Sequence, residues 1–357
     1  MKFIKILIVL FIVSILALGG VSYWLYNAMS APITHDKANK FIEIPKGSTP
    51  NQIISKLAVE GILKSETATQ IYLRTFGKSE NLKAGEYQFS SPITPLQVLK
   101  ELEKGEERTT KLTIPEGFTR FDIAKRISEK FPQTPPMDDK AILTLMDDTT
   151  QIRDIAPTAK NLEGYMYPTT YSFPRDVETK EIIKTMVGQF KKMWKPEWSD
   201  KAKSLGRTPQ EIVTIASLIE TESKFPEERQ IVASVIYNRL AKNIPLGIDQ
   251  TAVYIAKMQN RWDGTINKSD LESDSPYNTR KFGGIPPGPI SSVTESSVEA
   301  ALNPKQTDYI FYVLNVEEND GSHNFYASAS EFERGKAAYQ IWLEQQRREK
   351  REQNQNN

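Results

Sequence analysis

The pattern of apolar and polar positions divides the chain sharply. From Ile6 to Tyr26 the sequence ILIVLFIVSILALGGVSYWLY carries no charge, about one bilayer thickness of helix. Lys2 and Lys5 precede it, and Tyr23, Trp24 and Tyr26 stand at its far end as interfacial anchors. The run is long for the apolar core of a secretory signal, which favours a retained transmembrane anchor over a cleaved leader ending near "AMSA". Either reading exports residues 32–357. The positive charge on the short side predicts a cytoplasmic N-terminus.

Residues 28–40 are polar with an early proline and read as a linker. In "FIEIPKGSTPNQIISKL" (41–57) the periods switch from strand to helix: Phe41–Ile44 predicts a strand, Pro45-Lys46-Gly47 a turn, and Thr49-Pro50 a helix cap with proline at the first helical position. The phrase returns as "KLTIPEGFTRFDIAKRI" (111–127), which aligns Thr49 with Thr119 and Ile53 with Ile123. Two copies are too few for a solenoid. The unit could hold an extended polymer or serve only as a small α+β packing module.

Between the copies, "KAGEYQFSSPITPLQVLKEL" (83–102) predicts a strand, a turn and a helix capped near Thr94. Residues 129–160 are polar and dotted with proline, with a helix near 139–147, and read as a connecting segment. In "NLEGYMYPTTYSF", Tyr165, Tyr167, Tyr171 and Phe173 alternate as in a strand, giving an aromatic face that is either core or a sugar-stacking platform. Helices follow at 178–194, 208–223, 226–241 and 248–259, then a loop-rich section (260–293) and a helix at 294–302. The C-terminal part reads as a strand at 309–316, a turn at Asn319-Asp320-Gly321, a strand around "HNFYAS", and a last helix from about Ser330. The tail is charged and then amide-rich, a composition of solvated or disordered segments.

The composition narrows the chemistry. The 357 residues allow two domains with real cores. With 46 Lys+Arg against 45 Asp+Glu there is no basic excess for nucleic acid. Cysteine is absent and only His35 and His323 are available, so thiolate sites, histidine-rich metal centres and histidine-dependent triads lack material. Acid–base chemistry falls to carboxylates.

The candidate pair is Glu220 and Glu222 in "IASLIETES". Ile212, Ile215, Ala216, Leu218 and Ile219 define one apolar face of the helix. Glu222 projects roughly 50° from the centre of that face and Glu220 roughly 110°. Glu222 is thereby expected at a partly buried position, and Glu220 is the expected solvated one. Burial raises a carboxyl pKa and lets the acid form donate a proton. The competing reading makes Glu222 a structural residue paired with an arginine such as Arg229 or Arg239. A serine nucleophile is disfavoured, since no nucleophile elbow is present. The prolines of "FGGIPPGPI" remove the amide donors that a phosphate cradle needs.

Taken in order, "TIASLIETES", "SVIYNRL", "IDQTAVY", "PYNTRKFGGIPPGPI" and "HNFYAS" resemble the MltG-type (YceG-like) endolytic murein transglycosylases, and the likeness extends upstream through "LEGYMYPTTYSF", "KAGEYQF" and the duplicated phrase to the anchor. The resemblance implies an α+β protein. It would have a transmembrane helix (1–27), the linker (28–40), a LysM-like α+β region (41–128), the connecting segment (129–160), a mostly helical, lysozyme-like lytic-transglycosylase domain with a small β part (161–345), and a polar tail (346–357). It implies Glu222 as the catalytic acid, and Ser223, Asn238, Asp249, Thr251, Tyr254, Tyr277, Asn278 and Thr279 as substrate-binding positions. It departs from the family at Thr169, often Asp, and at Gln250, often Pro. Glycan strands of peptidoglycan and the cytoplasmic membrane are the implied partners, with peptidoglycan synthases beside them, and no cofactor or metal is implied. The expected setting is the inner membrane, with the catalytic domain periplasmic. The expected reaction cleaves the bond between N-acetylmuramic acid and N-acetylglucosamine to leave 1,6-anhydro ends and limits strand length. A lysozyme-like muramidase and a non-catalytic peptidoglycan scaffold are the alternatives.

Overall fold

A computed structural model describes all residues except Met1, Lys46, 78–80, 106–108, 133–134, Asp176 and 356–357. Lys46, the centre of the first expected turn, therefore lies outside the described residues. The fold mixes helix and strand, with about 52% of residues helical. It divides into two compact units, Met1–Thr109 and Thr110–Asn357. That division falls inside the 41–128 region read from the repeat, so the two copies of the phrase belong to different units.

In the first unit, α1 (Lys2–Ser30) leads to β1 (Ile42–Ile44), α2 (Pro50–Val59), α3 (Glu66–Thr75), β2 (Gly85–Tyr87) and α4 (Pro95–Lys104). β1 and β2 pair antiparallel, with Ile42 opposite Tyr87. Thr49 and Thr94 each form a capping box with the Gln three residues on, and proline occupies the first turn in both helices. The helix α3, which the apolar pattern did not announce, starts at a Ser65 cap. The core gathers Ile53, Ile54 and Leu57 of α2, Leu73 of α3 and Val98, Leu99 and Leu102 of α4, and it takes in Leu25 and Met29 from the end of α1. Residues 28–40 are tied down: Ile33 and Ile93 exchange backbone hydrogen bonds, His35 reaches the Ser90 carbonyl at 2.9 Å, and Gln88 donates to the Ala38 carbonyl at 2.7 Å.

The second unit runs β3 (Thr109–Thr113), α5 (Arg120–Lys130), α6 (Asp139–Leu145), β4 (Thr170–Pro174), α7 (Thr179–Met193), α8 (Pro196–Ser204), α9 (Pro209–Glu222), α10 (Pro226–Ala241), α11 (Gln250–Met258), the single turn α12 (Lys268–Leu271), α13 (Glu295–Leu302), β5 (Phe311–Leu314), β6 (His323–Tyr326) and α14 (Ala329–Gln355). The strands make two ribbons, β3 with β4 and β5 with β6. The polar tail is a helical extension of α14 through Gln355, longer than its composition suggested. Only 170–174 of the alternating aromatic segment is strand. Upstream, Pro168 and the left-handed Gly164 (φ +83°) break the extension, and a Cβ at Gly164 would lie 2.6 Å from Pro289. Tyr165, Tyr171 and Phe173 are buried in the core, so that stripe is packing and no exposed platform.

The second copy of the phrase repeats the local structure of the first: Gly117 is left-handed (φ +71°), and Thr119 forms a capping box with Asp122 at the start of α5. Its apolar side, Leu112, Ile114, Ile123, Ala124 and Ile127, is continuous with the large core that includes α7, α9, α10 and α13. The centre of that core is α9. It packs against α8, α10, α11 and α13, and every residue from Ile212 to Glu220 is buried.

Candidate active site

The helix α9 begins at a Thr208–Glu211 capping box with Pro209 in its first turn, local features worth about 1 kcal/mol. It ends at Glu222. Ser223 is extended and its hydroxyl donates to the Phe225 carbonyl at 3.0 Å, while Pro226 opens α10 and keeps Phe225 out of the helical region. The two glutamates therefore sit in the last turn, at the end where the helix dipole disfavours carboxylate charge.

Their environments differ, and not as helical phase predicted. Glu220 is the buried one. Its carboxylate accepts from Arg229 Nη2 at 2.9 Å, from the Thr294 amide at 2.8 Å and hydroxyl at 2.7 Å, and from the Ser297 hydroxyl at 2.5 Å. The expectation of a solvated Glu220 fails because α9 has no solvent flank here: α10 supplies Arg229, and the start of α13 supplies Thr294 and Ser297. With four hydrogen bonds to its carboxylate and side-chain exposure of 1%, Glu220 joins three elements and is sealed from solvent.

Glu222 is half-buried. Tyr312 Oη, from β5, donates to Glu222 Oε2 at 2.6 Å, and among the described residues Oε1 receives no hydrogen bond. Burial is the dominant influence and pushes the carboxyl pKa up. The Tyr312 bond opposes this, the charge of Asp249 adds to it, and His323 and Arg280 pull back. The net effect places the carboxyl pKa above the ordinary glutamate value. Neither Arg229 nor Arg239 pairs with it: Arg229 serves Glu220, and Arg239 donates to the carbonyls of Ile310 (2.6 Å) and Leu246 (2.7 Å).

The groups around Glu222 arrive on two supports. One is the β5–β6 hairpin. Tyr312 stands edge-on to His323, whose backbone amide and Nδ1 both bond the Glu228 carboxylate, at 2.8 and 2.9 Å. Asn238 fixes the approach to β5 by donating to the Thr307 and Tyr309 carbonyls, both at 2.9 Å. The other support carries Asp249, at the head of α11, in a close ion pair with Arg280. The Thr279 hydroxyl accepts from the Ile248 amide at 3.0 Å, and the Thr251 hydroxyl donates to the Ile248 carbonyl at 2.6 Å. Asn278 donates to the Leu271 and Ser273 carbonyls at 2.9 and 2.8 Å.

The positions carried over from the resemblance thus sort by what their polar atoms do. Ser223, Asn238, Thr251, Asn278 and Thr279 hold the main chain that frames the site. Asp249 and its Arg280 partner bear electrostatically on Glu222. Tyr254 and Tyr277 form a tilted ring pair with centroids 5.0 Å apart, and Tyr254 bonds a further buried acid, Glu163. Glu163 receives the Arg120 amide on both oxygens at 3.0 Å, and Phe121 packs on Tyr254, so the start of α5 is joined to α11. Burial lifts the Glu163 pKa to about 7 against the pull of the Arg120 bonds and charge. Asp122 beside it also feels burial, but the Lys257 ammonium, 2.6 Å away, and its Thr119 bonds hold it below the usual range. No group of three or more His, Asp or Glu that could hold a metal occurs among the described residues.

Sequence reasoning missed Tyr312, His323, Glu228, Arg280 and Glu163. Tyr312 lies 90 residues from Glu222, and the only local signal was its place in an aromatic-rich strand paired with the strand that holds a scarce histidine.

The YceG-like family matches residues 42–338, most of the chain. The chain belongs to the YceG-like family. It is 33% identical over 345 residues to the endolytic murein transglycosylase of Bacillus subtilis (strain 168), covering 91% of each protein. It is 30% identical to that of Streptococcus pneumoniae serotype 2 (strain D39), covering 88% of this chain and 62% of the relative. A crystal structure of a yceG-like protein from Listeria monocytogenes, 32% identical, aligns with 82% of this chain and 97% of its own at a TM-score of 0.55. For this YceG-like chain, the likeness spans both the first unit and the unit that carries Glu222.

Proposed function

We propose that this YceG-like protein is an endolytic murein transglycosylase that cleaves the bond between N-acetylmuramic acid and N-acetylglucosamine inside peptidoglycan glycan strands. The observation that carries the reading is Glu222: one carboxyl, its proton affinity raised by burial, held through Oε2 by Tyr312 and with no hydrogen bond to Oε1 among the described residues. Most glycosidases need two carboxyl groups flanking the bond. Here Asp249 is occupied by Arg280 and Glu220 is sealed in a buried pair, so the arrangement suits a reaction that one acid can run.

Glu222 Oε1 gives its proton to the bridging oxygen as the C1–O bond breaks. The C6 hydroxyl of the same muramic acid attacks C1 and returns its proton to Glu222, closing the 1,6-anhydro ring. No water is consumed and the acid ends as it began. Tethering gives the C6 hydroxyl a high effective concentration. The Tyr312 bond strengthens while Glu222 is ionised and steadies the intermediate charge state.

In this reading α1 spans the membrane with the N-terminus cytoplasmic and the rest outside, the duplicated unit is a LysM-like glycan holder, Asp249 and Tyr277 meet the substrate, and nascent strands from neighbouring synthases are the target. Mass spectrometry of fragments released from uncrosslinked strands tests it. Anhydro ends that vanish in Glu222→Gln support it; reducing ends would make the enzyme a hydrolytic muramidase, and equal or absent release by both proteins would leave a scaffold.

A further inference from the structure

The first unit carries an apolar groove of about 540 Å³ between the outer part of α1, the end of α3 and the start of α4. Leu18, Val21 and Leu25 of α1 face Ile71, Tyr72 and Phe76 across it. The helix α3 is thus apolar on two sides: Ala68 and Leu73 enter the core, while Phe76 stays 68% exposed and Ile71 38%. Water is a poor occupant of such a surface.

The length of α1 says what lies there. A hydrocarbon layer about 30 Å thick takes about 20 helical residues at 1.5 Å each. Counted from Ile6, the first residue after Lys5, the span closes near Leu25, beside the aromatic group Tyr23, Trp24 and Tyr26. Leu18 then lies about 10 Å beneath the outer boundary. The helix cannot lift the unit clear of that level, because Leu25 and Met29 are buried in its core and residues 33–38 are bonded to it without slack. A groove shared with Leu18 and Val21 therefore opens at acyl-chain depth. Arg74, in the last turn of α3, is exposed and adds a positive charge at that end of the helix.

We propose that acyl chains of the outer leaflet fill this groove, so that Ile71, Tyr72 and Phe76 form a membrane-inserted wedge that seats the first unit on the bilayer. The inference rests on reading α1 as a transmembrane anchor, and what favours lipid as the occupant is that the groove continues the lipid-facing surface of that helix. A wedge of this kind reaches about 5–10 Å into the acyl boundary, which matches the depth of Leu18.

The chain has no cysteine, so single-cysteine labelling is unambiguous. Full-length Phe76→Cys, Leu16→Cys and Glu43→Cys proteins, each carrying an environment-sensitive fluorophore, are reconstituted into phosphatidylglycerol–phosphatidylethanolamine vesicles with or without lipid doxyl-labelled at shallow and at mid-bilayer positions, so that positions 76 and 16 each meet a quencher at their own depth. Position 16 is in mid-span and exposed, and position 43 is exposed on β1. Quenching by roughly half or more at position 76, near that at 16 and absent at 43, is the expected result. Quenching at 16 with an unquenched, iodide-accessible label at 76 overturns the wedge and leaves the anchor standing. A label at 76 shielded from both quenchers means that protein covers the groove and overturns the lipid occupant. No quenching at 16, with release by alkaline carbonate, defeats the anchor and the wedge together. Ile71→Cys repeats the measurement should Phe76→Cys fold poorly.

Discussion

Replacing Glu220 by alanine separates the two glutamates by their physics. The wild-type carboxylate and the Arg229 guanidinium are both sealed from water, at 1% and 5% side-chain exposure. Removing one partner of such a pair leaves the other charge uncompensated, which costs about 3–5 kcal/mol. Glu116 remains 3.5 Å from Arg229, but at 63% exposure it recovers at most about 1 kcal/mol. The Thr294 amide also loses its carboxylate acceptor. A net loss near 4 kcal/mol is a large share of the roughly 5–15 kcal/mol that stabilises a folded domain. At about 2–4 °C per kcal/mol for a unit of this size, the melting midpoint should drop by roughly 8–16 °C. Helical circular dichroism of the detergent-solubilised full chain, followed against temperature, is the assay. Glu220→Gln, which keeps the volume and an acceptor, should fall between. Glu222→Gln should melt within a few degrees of wild type, because it removes a charge that burial disfavours. A Glu220→Ala protein that melts with the wild type but releases no glycan fragments would refute the assignment and move the chemistry to Glu220.

Three further measurements probe the site. Glu222→Gln should cut fragment release by roughly 10²–10⁴-fold, the usual contribution of a positioned acid, without loss of helical signal. In Tyr312→Phe the bond at 2.6 Å disappears; because it favours the ionised form, its loss lifts the Glu222 pKa further, so the alkaline limb of the pH–rate profile should move to higher pH while the maximal rate falls roughly tenfold or more. An unmoved limb would remove Tyr312 from the mechanism. Glu163 has a folded pKa of about 7 against an ordinary 4.5, so the folded state binds its proton more tightly. The stability this contributes is full below about pH 4.5 and lost as pH rises through about 7, a change of about 3 kcal/mol. Glu163→Gln should flatten that window in melting curves taken from pH 4.5 to 8, and an unchanged slope would contradict it.

Elements were legible where local physics sets them. Thr49-Pro50, Thr94-Pro95 and Thr208-Pro209 each announce a helix start by a side chain that satisfies free amides, and each starts a helix. The duplicated phrase gave the same left-handed glycine and capping box twice. Periodicity was weaker. The helices α3 and α8 went unread because they are short and mixed in polarity, and alternation of aromatics passed for strand where Gly164 and Pro168 had already turned the chain.

By itself, then, the order of residues determined the apolar span, the caps that start the principal helices, and the restriction of acid–base chemistry to carboxylates. Tertiary structure alone decided how the surroundings of Glu220 and Glu222 differ. Helical phase assumes a helix with a wet side, and α9 has none between Ile212 and Glu220 because α8, α10, α11 and α13 surround it. Burial therefore does not separate the glutamates as expected: the buried one is paired with Arg229 and hydrogen-bonded by Thr294 and Ser297, and the half-buried one keeps, among the described residues, an oxygen without a hydrogen bond and a tyrosine brought from 90 residues away. Proton affinity depends on what surrounds a carboxyl in space, and that is a property of packing between segments that no local pattern encodes.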